Sequence, residues 1–214
     1  IISIMFALSL FVFLPLYFTS YFFKHLINEP LYFNVLAGSI RIAIFLIYLL
    51  LISQIKDVKR LFKYHGAEHK TVYNFESGFE LSIENAKQFS TKHPRCGTSF
   101  IFIIMLVTIF TYAVLDSIAL LFINELIPSY RILIHVMFLP LVSGLGYEVL
   151  KFLAIKQNNI ICQLLSKPGL WLQHITTKEP TDRQLEVAIF ALKKAFGKNI
   201  ERYQGKKYKA DAIG

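Results

Sequence analysis

The sequence predicts an all-α membrane protein of about four transmembrane helices, with a helical loop and a helical C-terminal region on the cytoplasmic side. Three observations carry that reading. Of 214 residues 55% are hydrophobic, including 20 Phe and 11 Tyr, a content well above that of an ordinary soluble domain. Four apolar stretches reach the roughly 20 residues that a helix needs to cross a hydrocarbon core. The basic residues, finally, are shared very unevenly among the segments that connect those stretches.

The spans are expected at Ile2–Phe23, Leu31–Ile52, Ser99–Ile123 and Ile132–Ala154. They divide the chain into a transmembrane region, 1–155, which includes a loop over 53–98, and a C-terminal region over 156–214. The loop with Arg95 carries Lys56, Lys59, Arg60, Lys63, Lys70, Lys87, Lys92 and Arg95, and eleven more Lys and Arg follow Ala154. The links near Lys24–Pro30 and Asn124–Arg131 hold one basic residue each. Because positive charge is retained in the cytoplasm, the loop and the tail are expected inside and both short links outside. This topology and attraction to anionic headgroups account for the formal net charge of +9. No nucleic-acid module is visible, and the run from Arg202 to Lys209 is too short and isolated to make one.

The first span begins almost at once, at Ile1-Ile2-Ser3, with no initiator Met, no basic leading region and no small-residue cleavage site. A signal peptide fits poorly, and the chain is expected to be a fragment of a longer protein. The second span is expected to continue outward as one helix, since Ile52, Ile55, Val58 and Leu61 keep a helical spacing with no breaker before Gly66. Gly66 lowers helix stability by about 1 kcal/mol relative to Ala, which points to a bend or to the close approach of another backbone. The helix should end before Ser77-Gly78.

Ser82 caps a second loop helix that Pro94 ends, and the return segment His93–Ser99 then enters the third span. In the tail, Leu164-Leu165 and Pro168–Leu172 read as an interfacial segment with Trp171 at headgroup depth. Thr181-Asp182-Arg183-Gln184 is a capping box, Leu185, Ala188, Ile189 and Leu192 form one apolar face, and Gly197 is the stop.

The loop carries the chemistry. His65-Gly66-Ala67-Glu68-His69 places two imidazoles four residues apart with a carboxylate between them. On a helix, His65 and His69 share a face and could grip one metal ion, with Glu68 as a nearby base. The order His-x-x-Glu-His is the reversed zinc-hydrolase signature. His93 and Cys96, three apart on the return segment, could add one or two ligands if the two polar clusters converge. Cys96 and Cys162 both fall in the cytoplasmic parts, where a disulfide is not expected; Cys162 reads as a small apolar filler. Glu148 sits inside the fourth span after Gly144 and Gly146, where a carboxylate in hydrocarbon usually has a purpose. It could be a further oxygen ligand, or pair with Lys151 or Arg95. Arg41 and His135 are read as lying near the external ends of their spans, within snorkelling reach of the interface.

Several ordered blocks together resemble one family. Tyr64-His65-Gly66-Ala67-Glu68-His69-Lys70-Thr71, His93-Pro94-Arg95-Cys96-Gly97-Thr98-Ser99-Phe100, Gly144 through Tyr147-Glu148, Thr176–Pro180 and Leu185–Ile189 look like the bacterial membrane family DUF1385, also called YqhQ-like. The resemblance runs from the first span to about Lys194. It implies a multi-pass protein of the bacterial cytoplasmic membrane and, since the family is described as predicted metal-dependent enzymes, a metal site. The chain departs from the family in lacking its glycine-rich N-terminal block.

Three functions remain open at this stage. The first is a membrane-bound hydrolase with a divalent metal, zinc by the ligand types. His65 and His69 are its ligands with a third from Glu148, His93 or Cys96, Glu68 is its base, and its substrate is a membrane peptide or a lipid-derived headgroup. The second is an assembly or interaction protein in which His65, His69, His93 and Cys96 close a structural metal site, or a hydrogen-bonded hub. The third is a transporter, favoured by Glu148 and its glycines and weakened by four spans without an obvious repeat. The bland alternatives are a polar helix face at the membrane boundary for the histidine motif, a helix-terminal cation for His93, a buried small side chain for Cys96 and a structural ion pair for Glu148.

Overall fold

A computed structural model describes residues 1–156 and 159–208; Lys209, the last residue of the basic run in the tail, lies outside them. The described residues are helical with no strand, as an all-α membrane protein requires. The helices are α1 (Ile2–Phe22), α2 (Pro30–Ile52), α3 (Lys56–Glu76), α4 (Ile83–Lys87), α5 (Gly97–Ala119), α6 (Pro128–Met137), α7 (Leu139–Ile155), α8 (Ile160–Thr176) and α9 (Asp182–Phe196), followed by short turns to Tyr203. Helices α1, α2 and α5 are each long and apolar enough to cross a membrane. The fourth span is not the single helix expected over Ile132–Ala154. The stretch is the pair α6 and α7, bent by 54°, so the described residues hold three spanning helices, or four if this pair counts as one span. Pro140 has no N–H to give to Val136, so the ladder breaks there and Phe138 leaves helical geometry at φ −90°, ψ 3°.

The chain forms two compact units. The first comprises 1–48 and 100–150. Its apolar centre is Leu16, Phe33 and Ala37, with Val12, Leu26 and Ile132 against them. Small residues let its helices approach closely, as membrane packing requires. A Cβ on Gly38 would stand 2.3 Å from Ile109, and one on Gly146 2.6 Å from Ile104.

A polar knot lies inside this unit. Asp116 accepts hydrogen bonds from Arg131 Nε at 2.8 Å, Asn34 Nδ2 at 2.7 Å and His135 Nε2 at 3.1 Å. Asp116 and Arg131 are fully buried, and the Arg131 guanidinium also lies 3.6 Å from the centre of the Phe33 ring. The sequence reading of His135 as a snorkelling residue is therefore corrected, because a carboxylate inside the unit holds the ring. Arg41 needs the same correction. It stands eleven residues from either end of α2, and its Nε donates to the Phe11 carbonyl at 2.8 Å.

The second unit comprises 49–99 and 151–214. Here α3 does not continue α2. The side chains of Ser53 and Gln54 turn back onto the Leu50 carbonyl at 2.7 and 3.3 Å, satisfying the end of α2, and Ile55 is extended before α3 begins. Helix α3 ends at Glu76, before Ser77-Gly78, as its sequence indicates. It packs on α9 around Ala67, Leu81, Ala86, Leu185 and Ile189. The Ser82 cap, the Thr181/Gln184 capping box and the stop at Gly197 are all present.

Gly66 explains how α3 meets the segment that follows α8. Lys178 donates its backbone N–H to the Phe62 carbonyl at 2.9 Å, and a Cβ on Gly66 would stand 2.1 Å from the Lys178 carbonyl oxygen. Of the bend and the close backbone approach that this glycine suggested, the structure shows the approach, by the backbone of Lys178. Gly66→Ala gains helix propensity but must push that backbone away, so we expect a net loss of about 1–3 kcal/mol. Thermal unfolding of the variant in neutral detergent checks it, and a Tm at or above wild type would contradict the contact.

Candidate metal centre

The site is built from one face of α3 and the return segment before α5. His65 and His69 lie one turn apart with ring centroids 4.4 Å from each other. Each gives its Nδ1 to a backbone carbonyl, His65 to Thr176 at 2.9 Å and His69 to Thr91. A carbonyl can only accept, so both Nδ1 atoms carry the proton. In the neutral rings the lone pair is then on Nε2, the arrangement in which a second-shell carbonyl orients a metal-ligating imidazole.

Cys96 comes from the other side. Its Sγ is 3.2 Å from His65 Nε2 and 3.0 Å from Thr98 Oγ1. The ligand atoms of His65, His69 and Cys96 all lie within 4.8 Å of one another. With bonds of about 2.3 Å to sulfur and about 2.0 Å to nitrogen, ligand atoms on a tetrahedral zinc stand roughly 3.5 Å apart. The three side chains can therefore hold a metal ion with little movement.

The metal-free cluster has a defined charge state. Burial pushes the Cys96 thiol up, but hydrogen bonds from His65, His69 and Thr98 outweigh it and bring it down to about 5. The hydrogen bond to Cys96 correspondingly raises His65 against the effect of burial, helped by the Thr176 carbonyl and the Cys96 and Glu68 charges. At neutral pH Cys96 is a thiolate against the His65 ring, and a proton on His65 Nε2 is the one a cation would displace. Since the Cys96 value is depressed on folding, the stabilisation is fully present above the ordinary thiol range. It declines as pH falls from there and is gone below about 5. In a metal-free Cys162→Ser protein we expect thiolate absorbance near 240 nm to titrate with a midpoint about 5. A midpoint in the ordinary range near 8.5 would contradict the pairing.

His93 is adjacent but turned to other partners. Its ring is 5.7 Å from that of His69 and 4.5 Å from that of Tyr73. Nδ1 accepts the Arg95 backbone N–H at 3.3 Å, and Nε2 donates to Glu76 at 3.4 Å. Arg95 also pairs with Glu76. Burial pushes the Glu76 carboxyl up, but the His93 hydrogen bond and the Arg95 charge outweigh it and hold it below the ordinary carboxylate range. The backbone of His93 is clamped by the fully buried Gln173, which accepts from its N–H and donates to its carbonyl, both at 2.8 Å, and also donates to Ser99 Oγ.

Glu68 is exposed and lines a cleft of about 310 Å³ with His65, His69, Glu76, His93 and Cys96. Of the residues singled out by sequence, the structure thus gathers His65, His69 and Cys96, with Glu68 on the rim and His93 at one side. Glu148 is exposed on α7 in the first unit. Glu76 and Gln173 were missed. Glu76 had a readable signal, standing seven residues after His69 and so on the same face of α3.

The family follows from comparison with known proteins. A family model described as "Protein of unknown function (DUF1385)" matches residues 1–198. The chain belongs to this DUF1385 family. A Bacillus subtilis (strain 168) protein described as "Uncharacterized protein YqhQ" is 38% identical to it over 142 residues, which is 66% of this chain and 42% of that protein. The chain thus spans less than half the length of this DUF1385 relative. No solved structure matches it.

Proposed function

We propose that this DUF1385 protein is a metal-dependent hydrolase acting at the cytoplasmic face of the membrane. The observation that carries the reading is the three-ligand set. His65, His69 and Cys96 converge while the fourth candidate, His93, has both ring nitrogens engaged by Glu76 and the Arg95 backbone. Two nitrogens and a sulfur with one side left toward a cleft resemble a catalytic zinc set, which keeps a position open, more than a structural set, which fills all four. A bound divalent ion would acidify a water and polarise the carbonyl or phosphoryl oxygen under attack.

The protein's own groups have clear parts. Glu68, on the rim of the cleft and carried by the same helix turn, takes the proton of the attacking water and later gives it to the leaving group. Thr176 and Thr91 fix the two imidazoles in the tautomer that offers Nε2. Arg95, neutralised in the resting site by Glu76, supplies a cation near developing negative charge. The substrate is a membrane peptide or a lipid-derived headgroup ester, reached from the aqueous side. The cytoplasmic placement rests on the basic residues of the loop and tail.

The second reading is a structural metal knot that ties α3 to the return segment. It is favoured by the same convergence, since the ligands come from segments far apart in sequence. The two are separated by assaying purified protein against fluorogenic peptide, carboxyl-ester and phosphodiester substrates with and without added zinc. Metal-dependent turnover in wild type and its loss in Glu68→Gln, with folding unchanged, supports the hydrolase. Unfolding on chelation, with no turnover on any substrate, favours the knot.

A further inference from the structure

The first unit contains a second polar site that the hydrolase reading does not use. Arg41 lies midway along α2, where a charge in a membrane span is expensive and ordinarily marks a ligand or ion pathway. Its environment was prepared for it. Pro15 has no N–H, so the carbonyl four residues before it, Phe11, is released from the α1 ladder, and α1 runs through a π-helical segment at Ser9–Phe13. That freed carbonyl accepts Arg41 Nε–H at 2.8 Å. Thr108 Oγ1, whose own proton goes to the Met105 carbonyl at 2.6 Å, accepts from Arg41 Nη1 at 3.4 Å.

Both partners are neutral. A guanidinium has five N–H donors, and two are engaged here. Among the described residues Arg41 forms no ion pair, whereas Arg131 in the same unit is matched by Asp116. Arg41 is half-buried and faces neutral acceptors only, so its charge is left uncompensated, which an anionic guest would relieve.

The space for such a guest adjoins it. Arg41 lines a cavity of about 340 Å³, within the range of small-ligand sites, whose other walls are mainly apolar, among them Leu8, Phe45, Ile104, Met105 and Leu139. One cation, with Thr108, Tyr112 and His135 near it, at a cavity whose remaining walls are apolar is complementary to a molecule with one anionic head and one apolar chain. Neither a free inorganic anion nor a neutral lipid uses both features.

We propose that this cavity binds a membrane-dissolved amphiphile, its carboxylate or phosphate on the Arg41 guanidinium and its chain against the apolar walls. The two head chemistries share the contact with Arg41, and competition tells them apart. The purified protein in neutral detergent is incubated with tritiated hexadecanoate, and displacement is measured with hexadecyl phosphate, hexadecanol and inorganic phosphate.

Saturable binding of hexadecanoate, or of labelled hexadecyl phosphate in its place, is expected, with hexadecanol competing at least roughly tenfold more weakly, a difference of about 1.4 kcal/mol. The tighter anion identifies the source. Arg41→Gln should weaken the anion by roughly tenfold or more while Arg41→Lys retains most binding. Met105→Trp should block the chain, with an unchanged elution profile showing that the protein is folded. Equal competition by hexadecanol, competition by inorganic phosphate as strong as by the amphiphile, or no saturable binding of either anion overturns the proposal. These outcomes do not depend on the variants, so misfolding of Arg41→Gln leaves the test intact.

Discussion

Asp116→Ala will destabilise the protein by about 3–5 kcal/mol, the loss expected when one partner of a buried ion pair is removed and the other is left unpaired. Asp116 is the single carboxylate on which Arg131, Asn34 and His135 converge, and Arg131 has no exposure through which water could replace it. The remaining contacts of Arg131, a hydrogen bond to the Ile27 carbonyl at 2.8 Å and the face of Phe33, do not neutralise its charge. Unfolding in mixed micelles with increasing SDS fraction measures the loss. Asp116→Asn should recover part of it by keeping acceptor and shape. A variant as stable as wild type would mean that the knot is not a structural element of the first unit.

On the proposed hydrolase reading, Glu68→Gln will leave metal binding intact and lower turnover by about 10²- to 10⁴-fold, the usual contribution of a positioned general base. Gln keeps the volume and helix propensity of Glu, and Glu68 is exposed, so the fold should be indifferent to the change. A variant of the neighbouring histidine behaves differently. His69→Ala removes a ligand and opens space in a buried site, so loss of metal and loss of turnover should come together. Measuring kcat and bound metal on the same preparations distinguishes the base from the ligand.

The membrane class and the helices of the chain are legible in sequence because hydropathy and capping are local. Ser82, the Thr181 box and Gly197 each act over a few residues, and each is found where its chemistry places it. The errors arise where a long-range or cooperative effect decides. The break between α2 and α3 comes from Ser53 and Gln54 folding back on Leu50, which removes the advantage of continuing the ladder even though the apolar spacing runs on. The kink before α7 had a visible cause in Pro140, outweighed in the reading by an uninterrupted apolar run.

The site divides in the same way. The four-residue spacing of His65 and His69 is a property of one helix and was readable, and so was the close backbone approach at Gly66. That Cys96 reaches His65 while His93 turns to Glu76 depends on how Gln173 of α8 clamps the return segment. Nothing in the spacing of His93 and Cys96 distinguishes them. Asp116 was legible by the rule applied to Glu148, a carboxylate within a predicted span, and its partners Arg131 and His135 stood fifteen and nineteen residues away.

In the proposed site three residues, and not four, hold a divalent metal at an open position. The most direct test is the zinc content, by inductively coupled plasma mass spectrometry, of wild type, His65→Ala, His69→Ala, Cys96→Ser and His93→Ala after equilibration with limiting zinc. We expect about one equivalent in wild type and His93→Ala and a large loss in the other three. A wild type that takes up no zinc, or a His93→Ala protein that loses it as fully as Cys96→Ser, would contradict the three-ligand site.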